Sequence, residues 1–267
     1  LLNARITKKT FRKWIKFKYF SREIFNKITI AFPQNLETKL FLKELKPNKI
    51  KTIGNLKFTE NDDKRYNDLN PKLKSQFKSK KIWVASSTHP SEEIFCAQAH
   101  IYLKKKFKNL LTIIIPRHVH RSKRITSELE NLNLKIVKHS SNIKKLNNTD
   151  IYLVNTFGET RKFHKIGCSV FLGGSVINRG GQNPLEAARY GARILHGPNI
   201  DNFKEVYKTL EKLKISKKIT TPVELSSLIN FKKNKIIGAK IKKIGVKILK
   251  ETVNELDKVI SNEYKKT

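Results

Sequence analysis

Beyond residue 80, short apolar runs alternate with longer stretches in which apolar and charged positions follow the helical period. The runs are Ile82 to Ala85, Leu111 to Ile115, Leu134 to Val137, Ile151 to Val154, Ser169 to Leu172 and Arg193 to Leu195. Between them the spacing predicts helices over about 91–107, 121–131, 159–164, 183–190 and 201–212. Strands this apolar, separated by helices, predict an α/β fold with a parallel sheet covered on both faces. Ligands of such sheets bind in the loops that leave the carboxyl ends of the strands. From residue 231 onward, apolar side chains at 236, 237, 241, 244, 248, 249, 253, 256, 259 and 260 predict one long amphipathic helix.

The first 60 residues are patterned differently. A basic aromatic segment, Phe11 to Phe20, precedes a strand-like run, Ile28 to Phe32, a predicted helix from Leu36 to Leu45, and Ile50 to Ile53 ending in Gly54-Asn55. The large side chains at 11, 14, 15, 17 and 20 follow a helical stripe only in part, so the segment suits a membrane surface or a basic helix packed on a sheet equally. Residues 59 to 80 are polar without a buried run, which predicts a domain boundary. The expected organisation is 1–60, a linker over 61–80, a ligand-binding domain over 81–230, and the helix over 231–267.

Composition sets limits. No run in the 267 residues approaches the length of a membrane-spanning helix, and the opening residues do not read as a secretion signal, so a soluble or peripheral protein is expected. Cys96 and Cys168 are far apart in apolar surroundings and are expected to be reduced thiols. There is no Met, and Leu1-Leu2-Asn3-Ala4-Arg5 reads like the end of a buried strand, which suggests an N-terminally truncated reading frame. The net charge of +35 points toward nucleic acid or anionic membrane, but only 11 of the 57 basic residues are Arg. The Lys-rich excess is what codon drift in an AT-rich genome produces on solvated faces. With no zinc-finger or RNA-recognition signature either, no nucleic-acid partner is expected.

Four polar sequences fall at predicted strand ends: Ser86-Ser87-Thr88-His89-Pro90, Pro116-Arg117-His118, Asn155-Thr156-Phe157-Gly158-Glu159, and the glycine-rich corner Phe171 to Gly191. In the corner, Gly173-Gly174 and Gly180-Gly181 allow close backbone approach, Asn183-Pro184 can open a helix, and Glu186 can accept from sugar hydroxyls. Ser87 and Thr88 can donate to phosphate or merely cap a helix, with Glu92 and Glu93 supporting its first turn. Arg117 offers a rigid fork for phosphate or carboxylate. His89 or His118 can serve as an acid or as a positioning donor. P-loop, classical dinucleotide and nucleophile-elbow motifs are missing. So is an Asp-x-Asp triplet, and no metal-ligand spacing is seen, so no cofactor or metal is expected.

Together, Ser87-Thr-His-Pro-Ser-Glu-Glu93, Pro116-Arg-His118, Thr156-Phe-Gly-Glu159 and Phe171-Leu-Gly-Gly-Ser-Val-Ile-Asn-Arg-Gly-Gly-Gln-Asn-Pro-Leu-Glu186 resemble, in order and spacing, the donor half of 3-deoxy-D-manno-octulosonic acid (Kdo) transferases. Leu2-Asn-Ala-Arg-Ile-Thr7 and Gly54-Asn-Leu-Lys-Phe58 resemble the same family. The resemblance implies a GT-B fold: here a complete C-terminal Rossmann-like domain and the tail end of an N-terminal one. It implies transfer of Kdo from CMP-Kdo to a lipid A precursor, at the cytoplasmic face of the bacterial inner membrane, in lipopolysaccharide synthesis. It carries CMP contacts to Pro116, Arg117, Gly158, Glu159, Thr160, Asn183, Pro184, Leu185 and Glu186. Ser87, Thr88, His89, Gly173, Gly174 and Ser175 are further candidate donor contacts. The family's catalytic Glu lies in a glycine-rich segment that no part of this sequence matches, so the chain alone is expected to be inactive.

This sequence departs from the family pattern at several positions: Ser91 stands where Gly is usual, Val119-His120 replaces Pro-Glu, Asn155 and Phe157 replace Asp and Met, Thr160 replaces Leu or Met, and Gln182 replaces His. Such drift leaves open another GT-B nucleotide-sugar transferase or epimerase, and, further off, a basic protein that binds nucleic acid or membrane.

Overall fold

The computed structural model describes residues 1–59, 68–139 and 145–264. The chain forms two compact units, one of residues 1–62 with 240–267 and one of residues 63–239. The long terminal helix therefore begins with the second unit and continues into the first.

In the first unit, the basic aromatic segment forms two helices, α1 (Lys8–Lys16) and α2 (Lys18–Asn26), followed by α3 (Leu36–Leu45). Thr7 caps α1 by accepting from the Thr10 N–H, and Asn35 caps α3 by accepting from the Thr38 N–H. The segment packs on neighbouring helices rather than on a sheet, burying one set of side chains and exposing another. Phe11 stacks on Phe41 at 4.2 Å and Trp14 meets Phe25 edge-on at 5.3 Å, around a core of Ile6, Phe25, Ala31, Leu42 and Leu45. Phe17 and Tyr19 face outward, 68% and 96% exposed. Ile28 to Phe32 is not a strand. It makes single parallel bridges, Ala31 with Ile50, and Pro33 beside it with Ala4. Its apolar side chains are buried by the helices, and burial rather than a ladder explains the run.

The second unit opens with α4 (Pro71–Lys78) and continues β1 (Lys81–Thr88), α5 (Glu92–Lys104), β2 (Leu110–Pro116), α6 (Ser122–Glu130), β3 (Ile136–Lys138), β4 (Ile151–Leu153), α7 (Thr160–His164), β5 (Ser169–Leu172), α8 (Leu185–Arg189), β6 (Arg193–His196), α9 (Lys204–Lys212), β7 (Ser216–Lys218) and α10 (Pro222–Leu228). α11 (Lys235–Tyr264) follows. Of the expected linker, 61–67 lies outside the described residues, and the rest is largely helix. Pro71 starts α4 rather than breaking structure, the Asn70 side chain caps it, and Leu73 and Phe77 are buried.

All seven strands are parallel, in the order β3-β4-β2-β1-β5-β6-β7. The chain runs outward from β1 on one side, then returns to lay β5 against the other side of β1 and runs outward again. The crevice between the carboxyl ends of β1 and β5 is thus the switch point where doubly wound sheets take ligands. β1 and β2 are buried almost throughout, as their unbroken apolar runs require. β7 was not anticipated, because Ser-Lys-Lys at a sheet edge carries no apolar signal.

Asp150, just before β4, fastens the back of the sheet. Its buried carboxylate accepts from the Lys135 N–H at 2.9 Å, pairs with Lys104 of α5, and lies 3.4 Å from His100 Nε2. Burial pushes its pKa up, but the His100 and Lys104 side chains and the Lys135 N–H outweigh that and hold it far below the usual carboxylate range. A carboxyl depressed on folding contributes stability above its unfolded pKa of about 3.9 and loses it as pH falls through and below that value. Asp150→Asn is expected to destabilise the second unit by about 1–3 kcal/mol at pH 7, as loss of hydrogen bonds to a charged acceptor does. Denaturant titrations should show the gap closing toward pH 2; a gap of equal size at both pH values would refute this role.

Candidate functional site

The candidate site is built by four loops at the carboxyl edge of the sheet, those after β1, β2, β4 and β5. β1 runs on past the predicted Ala85 to Thr88, with an irregularity between Ser86 and Thr88 where Ser87 takes a left-handed φ of 55°. At the next bend Ser91 also has a positive φ, 75°, immediately before α5. That is a glycine conformation, which accounts for the Gly usual there in the resembling family and leaves this chain with a strained serine.

On the β5 side, Gly173 donates its N–H to Ser86 O at 2.8 Å, and a Cβ on Gly173 would stand 2.3 Å from Ser87 O. Only glycine lets the two loops approach so closely. The loop then turns at Gly174, φ 67°, and again at Gly180 and Gly181, φ 78° and 72°.

What holds the loops together is Glu92. Its fully buried carboxylate accepts four backbone N–H groups: His89 at 3.0 Å and Gly174 at 2.7 Å on Oε2, Ser175 at 3.1 Å and Val176 at 3.0 Å on Oε1. Burial pushes the Glu92 pKa up, and the four N–H groups pull it back without fully offsetting that. Its neighbour Glu93, also buried, accepts from Thr88 Oγ1 at 2.8 Å and takes both Arg121 guanidinium nitrogens at 2.9 and 3.0 Å, tying β1 to the loop after β2. The sequence suggested only first-turn dipole support for this pair; both carboxylates instead organise the strand-end loops.

The sequence-predicted residues divide as follows. Pro116, Arg117, Gly158 and Thr160 line a cavity of about 380 Å³, together with Ser87, Ile115, His118, Val119, Thr156 and Phe157. Arg117 is exposed, and its main chain is fixed by donation to Thr88 O at 2.9 Å. Glu159 is not part of that lining, being held by Lys162 at 2.9 Å. Asn183 Oδ1 caps the Leu185 N–H at 3.1 Å as expected, and Pro184 and Leu185 open α8. Glu186 sits in the first turn of α8 with its carboxylate on His164 Nδ1 at 2.7 Å and 3.7 Å from Arg161 Nε. Burial pushes the Glu186 pKa up, but His164, Arg161 and Arg189 more than compensate and keep it below the ordinary value.

Thr88 and Ser175 are both spent internally. Thr88 Oγ1 donates to Glu93, and Ser175 Oγ donates to Leu172 O while accepting from the Gly197 N–H. His89 is buried, its Nε2 lacks a hydrogen-bond partner, and its pKa is pushed down by burial and by nearby His118, Arg179, Arg117 and Arg121. Asn155, where the family has Asp, leaves Oδ1 buried without a partner. His164 was not anticipated, since a lone His in a short helix carries no local signal. A larger cavity of about 730 Å³ lies at the amino-terminal ends of β1 and β5, with Phe77, Phe107 and Phe231 among its walls, and none of the predicted contacts reaches it.

A parallel, doubly wound sheet with glycine turns and an Arg at its carboxyl edge is a Rossmann-like domain of the GT-B glycosyltransferase fold type. The C-terminal CMP-Kdo binding domain of WaaA from Acinetobacter baumannii superposes with a TM-score of 0.55 over 67% of this chain and 93% of that one, at 20% identity. Residues 1–60 match the family profile described as 3-Deoxy-D-manno-octulosonic-acid transferase (kdotransferase). The 3-deoxy-D-manno-octulosonic acid transferase of Rickettsia felis is 33% identical over 211 residues, covering 78% of this chain and 45% of the relative. That of Rickettsia prowazekii is 29% identical over 267 residues, covering 99% of this chain and 57% of the relative. The chain belongs to the Kdo transferase family and spans about half the length of the curated relatives it matches.

The Glu92 arrangement generates a direct test. Glu92→Gln keeps shape but turns an amide NH₂ toward N–H groups, leaving at least one donor unpaired, so a loss of about 2–4 kcal/mol is expected from denaturant unfolding. Unchanged stability would show that the carboxylate does not hold the loops.

Proposed function

We propose that the second unit holds the CMP half of CMP-Kdo and that the whole enzyme of which this sequence forms part transfers Kdo to a lipid A precursor, lipid IVA. The observation that carries this reading is the convergence of Pro116, Arg117, Gly158 and Thr160 on one cavity at the carboxyl ends of β1, β2 and β4, with the Asn183–Glu186 corner following β5, the neighbour of β1 on its other side. Arg117 presents an exposed fork suited to the phosphate, which leaves with the nucleoside when the glycosidic bond to Kdo breaks; stabilising that developing charge lowers the barrier. Asn183 and the start of α8 supply further polar groups, and Glu186 offers a carboxylate to ribose hydroxyls. His89, Gly173 and Gly174 lie at the same crevice as candidate contacts to the sugar.

Transfer is proposed to need no metal, because the sequence lacks the acidic triplet that would hold one against the donor. Peripheral attachment to the anionic cytoplasmic face of the inner membrane is part of the same proposal. It is supported by the exposed Phe17, Tyr19 and Phe20 among Lys13, Lys16 and Lys18. Among the described residues no helix is long and apolar enough to cross a membrane.

Calorimetric titration with CMP, with and without EDTA, tests the donor site. Binding should survive chelation, exceed that of UDP, and weaken about tenfold or more in Arg117→Ala, the worth of a charge-assisted bond of 1.5–3 kcal/mol. Indifference to Arg117→Ala, or tighter binding of UDP, would overturn the CMP assignment.

The catalytic base is proposed to lie outside these 267 residues, since none of them matches the family's glycine-rich Glu segment. Kdo transfer from CMP-Kdo to lipid IVA should therefore be absent with this chain alone and present with a version carrying that segment. Turnover by the 267 residues would refute the assignment of the base.

A further inference from the structure

Glu186 does not stand alone. Its Oε1 lies 2.7 Å from Nδ1 of His164, and Nε2 of the same ring lies 3.0 Å from Oγ of Ser86. The three residues come from different elements: Ser86 from the carboxyl half of β1, His164 from the end of α7, and Glu186 from the first turn of α8. His164 and Ser86 are 3% and 1% exposed, whereas the Glu186 side chain is 26% exposed. The row thus runs from the sheet interior out to a partly exposed carboxylate.

With the ring proton on Nδ1, His164 donates to Glu186 Oε1, and Nε2 shares the second hydrogen bond with Ser86 Oγ. Oε1 is then committed, while among the described residues Oε2 accepts no hydrogen bond and lies 3.7 Å from Arg161 Nε, so it keeps acceptor capacity. Ser86 is itself immobile, since its carbonyl accepts the Gly173 N–H at 2.8 Å. The order Ser, His, carboxylate is that of a nucleophilic triad, but Ser86 Oγ is buried inside the row and faces no substrate space, so nucleophilic use is ruled out by geometry.

We propose that His164 is a positioning residue that locks the Glu186 carboxylate so that Oε2 reads a ribose hydroxyl of the bound nucleotide. This rests on the CMP reading above. A carboxylate free to rotate would divide its time among rotamers, and fixing it beforehand removes that entropy loss from the binding step. The role belongs to Nδ1 and not to the imidazole as a whole. Asparagine places an amide N–H near the Nδ1 position, while glutamine places one near Nε2, so the two substitutions separate orientation of Glu186 from simple filling of the pocket.

The test compares calorimetric affinities for CMP and 2′-deoxy-CMP. The native chain should prefer CMP by about tenfold, the worth of one hydrogen bond to a charged acceptor. Glu186→Ala should abolish the preference. His164→Gln should reduce it to about twofold or less, whereas His164→Asn should keep most of it, and His164→Gln added to Glu186→Ala should change nothing more. Far-UV circular dichroism and melting curves identify any variant that has lost its fold, and the native discrimination and the Asn variant then carry the result.

A native-like preference in His164→Gln would overturn the proposal, as would equal loss in the Asn and Gln variants, or parallel weakening of both nucleotides. Native binding of CMP without ribose preference would overturn it and leave the CMP site standing. Failure of the native chain to bind CMP would bring down both.

Discussion

Four N–H groups, from His89, Gly174, Ser175 and Val176, belong to loops whose turns take them out of the sheet's hydrogen-bond ladder, and they lie where water is excluded. Left unpaired, each would cost about as much as a lost hydrogen bond. Glu92 supplies both oxygens of one carboxylate to all four, across 82 to 84 residues of sequence for the β5 loop. The burial of its charge is unfavourable by itself, and the four donors are what make it tolerable. The crevice depends on this contact because the loops meet at van der Waals limits. Gly173 has no room for a Cβ against Ser87, and Gly197 has none against Ser175 O, 2.2 Å from where that atom would be.

The sheet was legible for a simple reason. Strands buried on both faces must be apolar without interruption, so Leu111 to Ile115 and Ile151 to Val154 identify themselves. The site loops were legible by position, since chemistry in parallel sheets gathers after the strands, and most of the candidate contacts do lie at those ends. Less visible was anything decided by distant partners. Glu92 and Glu93 have the local look of first-turn dipole partners, and the local reading is not false, but their carboxylates are claimed by groups far along the chain. Ile28 to Phe32 shows the converse: a run apolar enough for a strand makes only isolated bridges, with Ala31 and Ile28 packed among side chains of α1, α2 and α3. Polar β7 and α4, with its Pro71 start, fall below what periodicity can detect because their few buried side chains do not form a run.

Charge shows the same separation between composition and site. The excess of 35 positive charges is carried chiefly by lysines spread over the surface, yet Arg117, Arg121, Arg161, Arg179 and Arg189, five of only 11 arginines, fall in or beside the strand-end segments. A guanidinium can hold two oxygens in a fixed plane, and Arg121 does so with Glu93.

The commitments of these groups then distinguish scaffold from reader. Arg121 is spent on Glu93, Thr88 on Glu93, Ser175 on Leu172 and Gly197, and Ser86 and His164 on the row behind Glu186. Each was chemically able to meet a ligand, and each instead restrains a loop. Arg117 makes no side-chain ion pair among the described residues, and Glu186 retains one oxygen that no hydrogen bond claims. A cation with a fixed main chain and a carboxylate with a fixed first oxygen are the groups on which an anionic nucleotide carrying a diol can act without rearranging the fold. Residue type alone marked too many candidates, and the hydrogen bonds already satisfied within the protein set the side chains that restrain loops apart from those, Arg117 and Glu186 among them, that keep capacity for a ligand.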